Sequence, residues 1–226
     1  VCSSDLLVPY RVVKFGGADS DLALEAVELL PDSTRFRICG SPRWFTIPML
    51  GKHNANNALA AILIGRLFGV NDDDIAAGLS CFTPSGMRIE RLEGKNGTTL
   101  WNDAYNANPT SMKAALELLS STSGFRRKFA VLGDMLELGP KEKQFHREIG
   151  QMLDPTRIDY VYTLGTLGRE IADSAALNYP PGRVEAFDSK EALAAKLEAV
   201  AKPGDCILVK GSRGMRMETI IQALRA

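Results

Sequence analysis

The sequence predicts an α/β fold: a Rossmann-like, mostly parallel sheet in the carboxyl-terminal part, preceded by an antiparallel meander with helices. Three observations carry this expectation. From Arg91 onward, short runs of β-formers alternate with stretches of helical apolar spacing, the pattern of parallel strands between helical layers. From Tyr10 to Leu50 the runs are β-rich and broken by turn residues. Between the two parts, Thr83-Pro84-Ser85-Gly86 is the clearest linker in the chain, which sets 7–83 apart from 84–226.

Composition bounds the partners. With 226 residues, 45% hydrophobic and 24% charged, the chain has the make-up of a soluble globular protein of one large or two modest domains. Its 27 basic and 27 acidic residues balance, which argues against nucleic acid or an anionic membrane surface as a partner. No apolar run reaches the length of a membrane span, so no membrane insertion is expected. Cys2, Cys39, Cys81 and Cys206 are far apart and form no CxxC pair; they read as reduced thiols of a cytosolic protein. Residues 1–6 begin without Met and resemble a translated sequencing adapter, so they are set aside from fold reasoning. The chain is therefore expected to lack its natural amino-terminal part.

In the meander, strands are expected at Arg11–Phe15, Ala26–Leu29, Arg35–Cys39 and Trp44–Leu50, with Pro48 arguing for an edge position. Without strand partners upstream, poor solubility is expected around Tyr10–Leu50. A helix opens at Gly51-Lys52-His53-Asn54, with Ala58, Ala61, Ile62 and Gly65 as one packing stripe and Leu59, Ile64, Leu67 and Phe68 extending it. Asn54 and Asn57, three apart in its first turn, project from one side. Their amides suit the edge of an adenine base, but local evidence alone favours one of them as an N-cap. A second helix is expected over Asp72–Cys81, its acidic start favoured by the helix dipole. Arg88, just past the linker, is placed to reach across a cleft.

Beyond the linker, strands are expected at Arg91–Glu93, Thr98–Trp101, Lys128–Leu132, Tyr160–Leu164, Val184–Phe187 and Cys206–Val209. Helices are expected at Ser111–Leu119, Lys141–Leu153, Leu167–Leu177, Lys190–Val200 and Met215–Leu224. Three strand-end loops are unusually polar. Asp103-Ala104-Tyr105-Asn106-Ala107-Asn108-Pro109 carries a carboxylate, a phenol and amides before a helix that Thr110 or Ser111 can cap. Gly133-Asp134-Met135-Leu136-Glu137-Leu138-Gly139 places two acids between glycines. Lys210-Gly211-Ser212-Arg213 puts cations at a helix start, a setting for a carboxylate or phosphate. Each has a bland alternative: Asp134 can cap a helix, and Lys210 or Arg213 can pair with nearby acids. Such loops gather at the carboxyl edge of a parallel sheet, where open α/β folds bind ligands.

These three loops closely resemble those of the Mur ligases, and within that family they look most like the dipeptide-adding member. Gly51-Lys52-His53-Asn54 with Asn57-Ala58-Leu59-Ala60-Ala61 is similar to the motif closing that family's central ATPase domain. The resemblance runs from about Tyr10 to the carboxyl end. It implies that 7–83 is part of the central ATP-binding domain and 84–226 the carboxyl-terminal domain. It also implies an ATP-dependent ligase of peptidoglycan synthesis in the bacterial cytoplasm, acting as a monomer. ATP would phosphorylate the carboxylate of a UDP-N-acetylmuramoyl tripeptide, and D-alanyl-D-alanine would attack the acyl phosphate. By the same resemblance Asn54 and Asn57 contact adenine, Asp103 accepts from the ribose hydroxyls, and Arg88 is the catalytic group at the phosphates. Asn106, Asp134, Lys210, Ser212 and Arg213 are then substrate-side residues. No G-x-x-x-x-G-K-[ST] motif occurs in the chain, and the family's magnesium ligands are expected upstream of it, so no metal ligand is assigned and the chain alone is expected to be inactive. Two other readings stay open: a sister ligase of the Mur or folylpolyglutamate type, and a non-catalytic ligand-binding module on a Rossmann-like sheet.

Overall fold

The computed structural model describes residues 12–17, 19–83 and 86–226. The adapter-like residues 1–6, Arg11 of the first expected strand, and Pro84 and Ser85 of the linker lie outside these. The chain divides into two compact units, Val1–Thr83 and Pro84–Ala226.

The first unit is built on an antiparallel sheet of β1 (Leu24–Leu29), β2 (Thr34–Ile38) and β3 (Trp44–Ile47), in that order. Alternation decides its buried face: Thr34, Phe36 and Ile38 point inward while Arg35 and Arg37 are half-exposed. β3 is an edge strand that stops before Pro48, which has no N–H to give a ladder. The strand expected at Arg11–Phe15 does not form in its described part; Phe15 makes only an isolated bridge to Leu22.

Helix α1 (Lys52–Leu67) covers the sheet, with α2 (Asp72–Ser80) beside it. Phe36, Ile38, Phe45 and Ile47 pack against Ala55, Ala58, Leu59 and Ile62 of α1 and Ile75 of α2. The buried stripe of α1 is Asn54, Ala55, Ala58, Leu59 and Ile62. Ala61, Ile64, Leu67 and Phe68 fall on the far side of the helical wheel and are exposed, which corrects the wider apolar face expected.

The second unit holds a six-stranded sheet of order β4-β5-β9-β6-β7-β8. Its strands are β4 (Glu90–Gly94), β5 (Thr98–Asp103), β6 (Lys128–Gly133), β7 (Tyr160–Leu164), β8 (Val184–Phe187) and β9 (Cys206–Lys210). Only β4 runs antiparallel, on the edge beside β5; the other neighbours are parallel. The helices are α3 (Pro109–Ser121), α4 (Glu142–Gln151), α5 (Gly168–Ala176), α6 (Lys190–Val200) and α7 (Glu218–Leu224). One face of the sheet, with Leu100, Phe129, Val131, Tyr162 and Val209, packs on Leu193 and Leu197 of α6 and Ile220, Ile221 and Leu224 of α7. Residues of opposite parity, Trp101, Ala130, Leu132, Val161 and Leu208, are equally buried and face α3, α4 and α5, which lie side by side. Each Val, Leu, Ile or Phe side chain among these contributes about 1.5–3 kcal/mol by leaving water.

Strand order sets where a ligand can sit. The chain leaves β5 and β6 into α3 and α4 on one face, but leaves β9, inserted between them, into α7 on the other. The loops therefore diverge at the carboxyl ends of β5, β9 and β6 and open a crevice there. No helix among the described residues is long and apolar enough to cross a membrane.

Candidate functional site

A cavity of about 390 Å³ occupies that crevice. Tyr105 and Asn106 from the β5–α3 loop line it, with Leu136 and Glu137 from the β6–α4 loop and Ser212, Arg213 and Gly214 from the β9–α7 loop. All three polar loops singled out in the sequence thus meet in one place.

The first loop starts later than its residue types suggest. β5 runs on to Asp103, so Asn102 and Asp103 are strand residues. Asn102 donates to Glu90 Oε2 across the β4–β5 ladder at 3.0 Å. α3 begins with Pro109 at its first turn and Asn108 as N-cap. The Asn108 side chain accepts the Ser111 N–H at 2.8 Å, and the Asn108 N–H donates to Ser111 Oγ at 3.1 Å. Asn108 caps where Thr110 or Ser111 was expected, and Ser111 is the reciprocal partner of a capping box.

Asp103 and Lys210 end adjacent parallel strands in register, and their side chains meet. Lys210 Nζ donates to Asp103 Oδ2 at 2.6 Å and to the Asn106 carbonyl at 3.0 Å. The lysine side chain is 3% exposed and the aspartate side chain 12%, so this is a buried ion pair. Asp103 Oδ1 accepts the Ile89 N–H at 3.2 Å. Burial raises the Asp103 carboxyl above the ordinary carboxylate value, and the charges of Lys210 and Arg88 and these hydrogen bonds pull it back down.

Arg88 lies with its guanidinium 4.5 Å from the Tyr105 ring centroid, a cation–π contact on an exposed surface. Its neighbours carry strain: Met87 and Ile89 have φ of 65° and 52°, costly above all for β-branched Ile89. Hydrogen bonds hold the segment in place, with Tyr105 N–H donating to the Met87 carbonyl at 3.1 Å and Met87 N–H to Glu90 Oε2 at 3.2 Å.

Asp134 and Ser212 are spent inside the fold. Asp134 Oδ1 accepts the Gly168 N–H at 2.6 Å and so caps the start of α5, while its carbonyl accepts the Ser212 N–H at 3.0 Å. Gly165, at φ 103°, makes room: a Cβ there would lie 2.5 Å from Asp134 Oδ1. Ser212 Oγ accepts the Leu136 N–H at 2.9 Å and donates to the Ala107 carbonyl at 3.3 Å, tying all three loops together. Arg213 is 57% exposed on the cavity wall, where it pairs with Glu218 Oε1 at 3.1 Å. Asn106 is exposed on the same wall, its Oδ1 accepting the N–H of Ala107 at 2.8 Å.

Three contributors have no assigned role in the sequence reading. Glu137 lines the cavity at φ 63°, and its only sequence signal is an acid in a Gly-flanked strand-end loop. Leu136 adds an apolar wall and is visible by the same signal. His146, fully buried on α4, gives no sequence signal; its Nε2 accepts the Met135 N–H at 2.9 Å and its Nδ1 faces the Glu142 carbonyl at 2.7 Å. Those partners hold a neutral imidazole with its proton on Nδ1.

Asn54 and Asn57 belong to the first unit. Asn54 is buried and donates to the Leu50 carbonyl at 2.9 Å; Asn57, exposed, reaches Asn54 Oδ1 at 3.5 Å. Neither caps the helix, whose N-cap is Gly51 with no side-chain bond. The described residues contain no group of three or more His, Cys, Asp or Glu arranged to hold a metal.

This geometry agrees with what the chain resembles. Residues 87–213, more than half of it, match the family described as Mur ligase, glutamate ligase domain, and the chain belongs to that family. The UDP-N-acetylmuramoyl-tripeptide–D-alanyl-D-alanine ligase of Bacillus subtilis is 45% identical over 208 residues, 92% of this chain and 46% of the relative. A crystal structure of MurF from Acinetobacter baumannii matches with a TM-score of 0.78 at 29% identity, over 91% of this chain and 45% of that one. MurF ligase from Thermotoga maritima in complex with ADP matches with a TM-score of 0.76 at 27% identity, over 92% and 47%. The chain spans about half the length of the relatives it matches.

Proposed function

We propose that the chain supplies the acceptor-binding domain and part of the ATP site of an ATP-dependent ligase that adds D-alanyl-D-alanine to a UDP-N-acetylmuramoyl tripeptide. The observation that carries this is the crevice cavity lined by both a cation, Arg213, and a carboxylate, Glu137, with Asn106 and Ser212 between loops. A dipeptide at neutral pH is a zwitterion. Its carboxylate suits the Arg213 fork and its ammonium suits Glu137, while Leu136 and Tyr105 offer surface to the methyl groups. The names of the relatives support the particular dipeptide.

The reaction needs activation first, because a carboxylate is a poor electrophile. A tripeptide carboxylate oxygen attacks the γ-phosphorus of ATP and ADP leaves. The dipeptide nitrogen then attacks the acyl carbon; an N–C bond forms, the C–O bond breaks, and phosphate departs with the electron pair as the amine loses its proton. In this reading Arg88 meets the phosphates, Asp103 the ribose, and Asn54 and Asn57 the adenine. Asp134 shapes the acceptor loops from behind, and Ser212 ties them together at the cavity wall. The protein works as a monomer in the bacterial cytoplasm, with magnesium held by residues outside this chain.

Titration calorimetry of the purified chain with D-alanyl-D-alanine tests the reading. Saturable heat is expected, weakened about tenfold or more by Arg213→Met and by acetylating the ligand's amine, since each removes a charge-assisted bond. Equal affinity for the acetylated and free dipeptide excludes the zwitterion site. With no G-x-x-x-x-G-K-[ST] motif in the sequence, the chain alone is expected to release no ADP.

A further inference from the structure

Lys210 is a cation in a polar strand-end loop, yet it is not among the residues that line the cavity. Its ammonium is turned instead to Asp103 Oδ2 and the Asn106 carbonyl, at 2.6 and 3.0 Å. Parallel register sets this up, because Asp103 and Lys210 are partners at the last position of the β5–β9 ladder. An ammonium has three donor positions, and two are taken, one by the last residue of β5 and one by the loop that follows it.

We infer that Lys210 is a positioning residue that acts through Asp103: it fixes the carboxylate in one rotamer and anchors the cavity wall at Asn106, without touching the acceptor. This rests on the reading of Asp103 as the partner of the nucleotide ribose. A carboxylate facing a vicinal diol makes two hydrogen bonds only if its plane is held, and the side chain of Asp has two rotatable bonds to hold. Lys210 pins one oxygen and the Ile89 N–H the other at 3.2 Å, which leaves one lone pair on each for the diol. Arg88 adds its field to the same carboxylate but lies on the Tyr105 ring, so orientation falls to Lys210.

The discriminating measurement is nucleotide selectivity in a ligase of full family length carrying these residues. The ratio of kcat/KM for ATP to that for 2′,3′-dideoxy-ATP reads the diol contact alone. Wild type is expected to prefer ATP about tenfold or more, as a bond to a charged group allows. Lys210→Met is expected to bring the ratio near one, whatever it does to kcat/KM for either nucleotide taken alone. A full wild-type preference in Lys210→Met overturns the inference and leaves the reading of Asp103 standing. No preference in wild type overturns that reading and this inference with it. Should the methionine variant not fold, Lys210→Arg keeps the charge with a different reach, and an intermediate ratio is expected; an undiminished ratio counts against the inference.

Discussion

His146 shows how one buried side chain can govern a loop it does not belong to. Its Nε2 is used by the Met135 N–H of the β6–α4 connection and its Nδ1 by the Glu142 carbonyl at the start of α4, and that connection carries Leu136 and Glu137 to the cavity. Replacing it with Leu leaves the Met135 N–H without a partner, a loss of about 1–3 kcal/mol. His146→Leu is therefore expected to lower the denaturant midpoint and, with it, affinity for D-alanyl-D-alanine; unchanged affinity in a folded variant contradicts the anchoring role. Asp103 gives a pH dependence at the same scale. Its folded-state pKa is raised by desolvation, so the group's contribution to stability is full below the ordinary carboxylate value and is lost as pH rises through the raised one. With Asp103 at the ribose as proposed, nucleotide binding runs the other way, because only the ionised carboxylate can accept from both hydroxyls. ADP affinity in a full-length ligase is thus expected to fall on acidification at a pH above the usual carboxylate range. In Lys210→Met the fall should start at still higher pH, since the lysine is one of the groups holding Asp103 down. A profile that does not move on this substitution refutes the coupling.

At the level of the element, the capping box of α3 offers a clean measurement. Asn108→Ala removes a side chain that satisfies the first-turn N–H of Ser111 beside the cavity. The expected cost is about 1 kcal/mol, or about 2–4 °C in Tm, read by thermal melts. A loss under a few tenths would mean that water caps the helix as well. The same helix shows what sequence can and cannot tell. β-formers and apolar period placed every strand of the second sheet, because those signals are local. The end of β5 was not readable: Asn102 and Asp103 look like loop residues, and their burial is tolerated because Glu90 and Lys210, distant in sequence, help to satisfy them. The last helix was expected from Met215 as one piece, but Arg216 at φ 49° breaks it into a 3-10 turn, Arg213–Met215, and α7. The three site loops were readable from their residue types. That Asp134 caps α5, that Lys210 turns to Asp103, and that His146 matters at all depend on strand order, which no local period encodes.

For the whole molecule, the division at Thr83 and Pro84 makes a prediction that separates the two ligands. The second unit has its own core on both sheet faces, and every cavity residue lies between Tyr105 and Gly214 within it. Among the described residues, those that line this cavity all belong to the second unit. Residues 84–226 expressed alone are therefore expected to unfold in one cooperative transition and to bind D-alanyl-D-alanine within about threefold of the whole chain. Asn54 and Asn57, by contrast, sit on α1, so the same piece is expected to bind ADP far more weakly than a full-length ligase does. Calorimetry with each ligand on the one sample reads both. Dipeptide binding lost together with ADP binding would mean that the acceptor site is assembled by both units, and the cavity at the β5–β9–β6 crevice would then be only one wall of it.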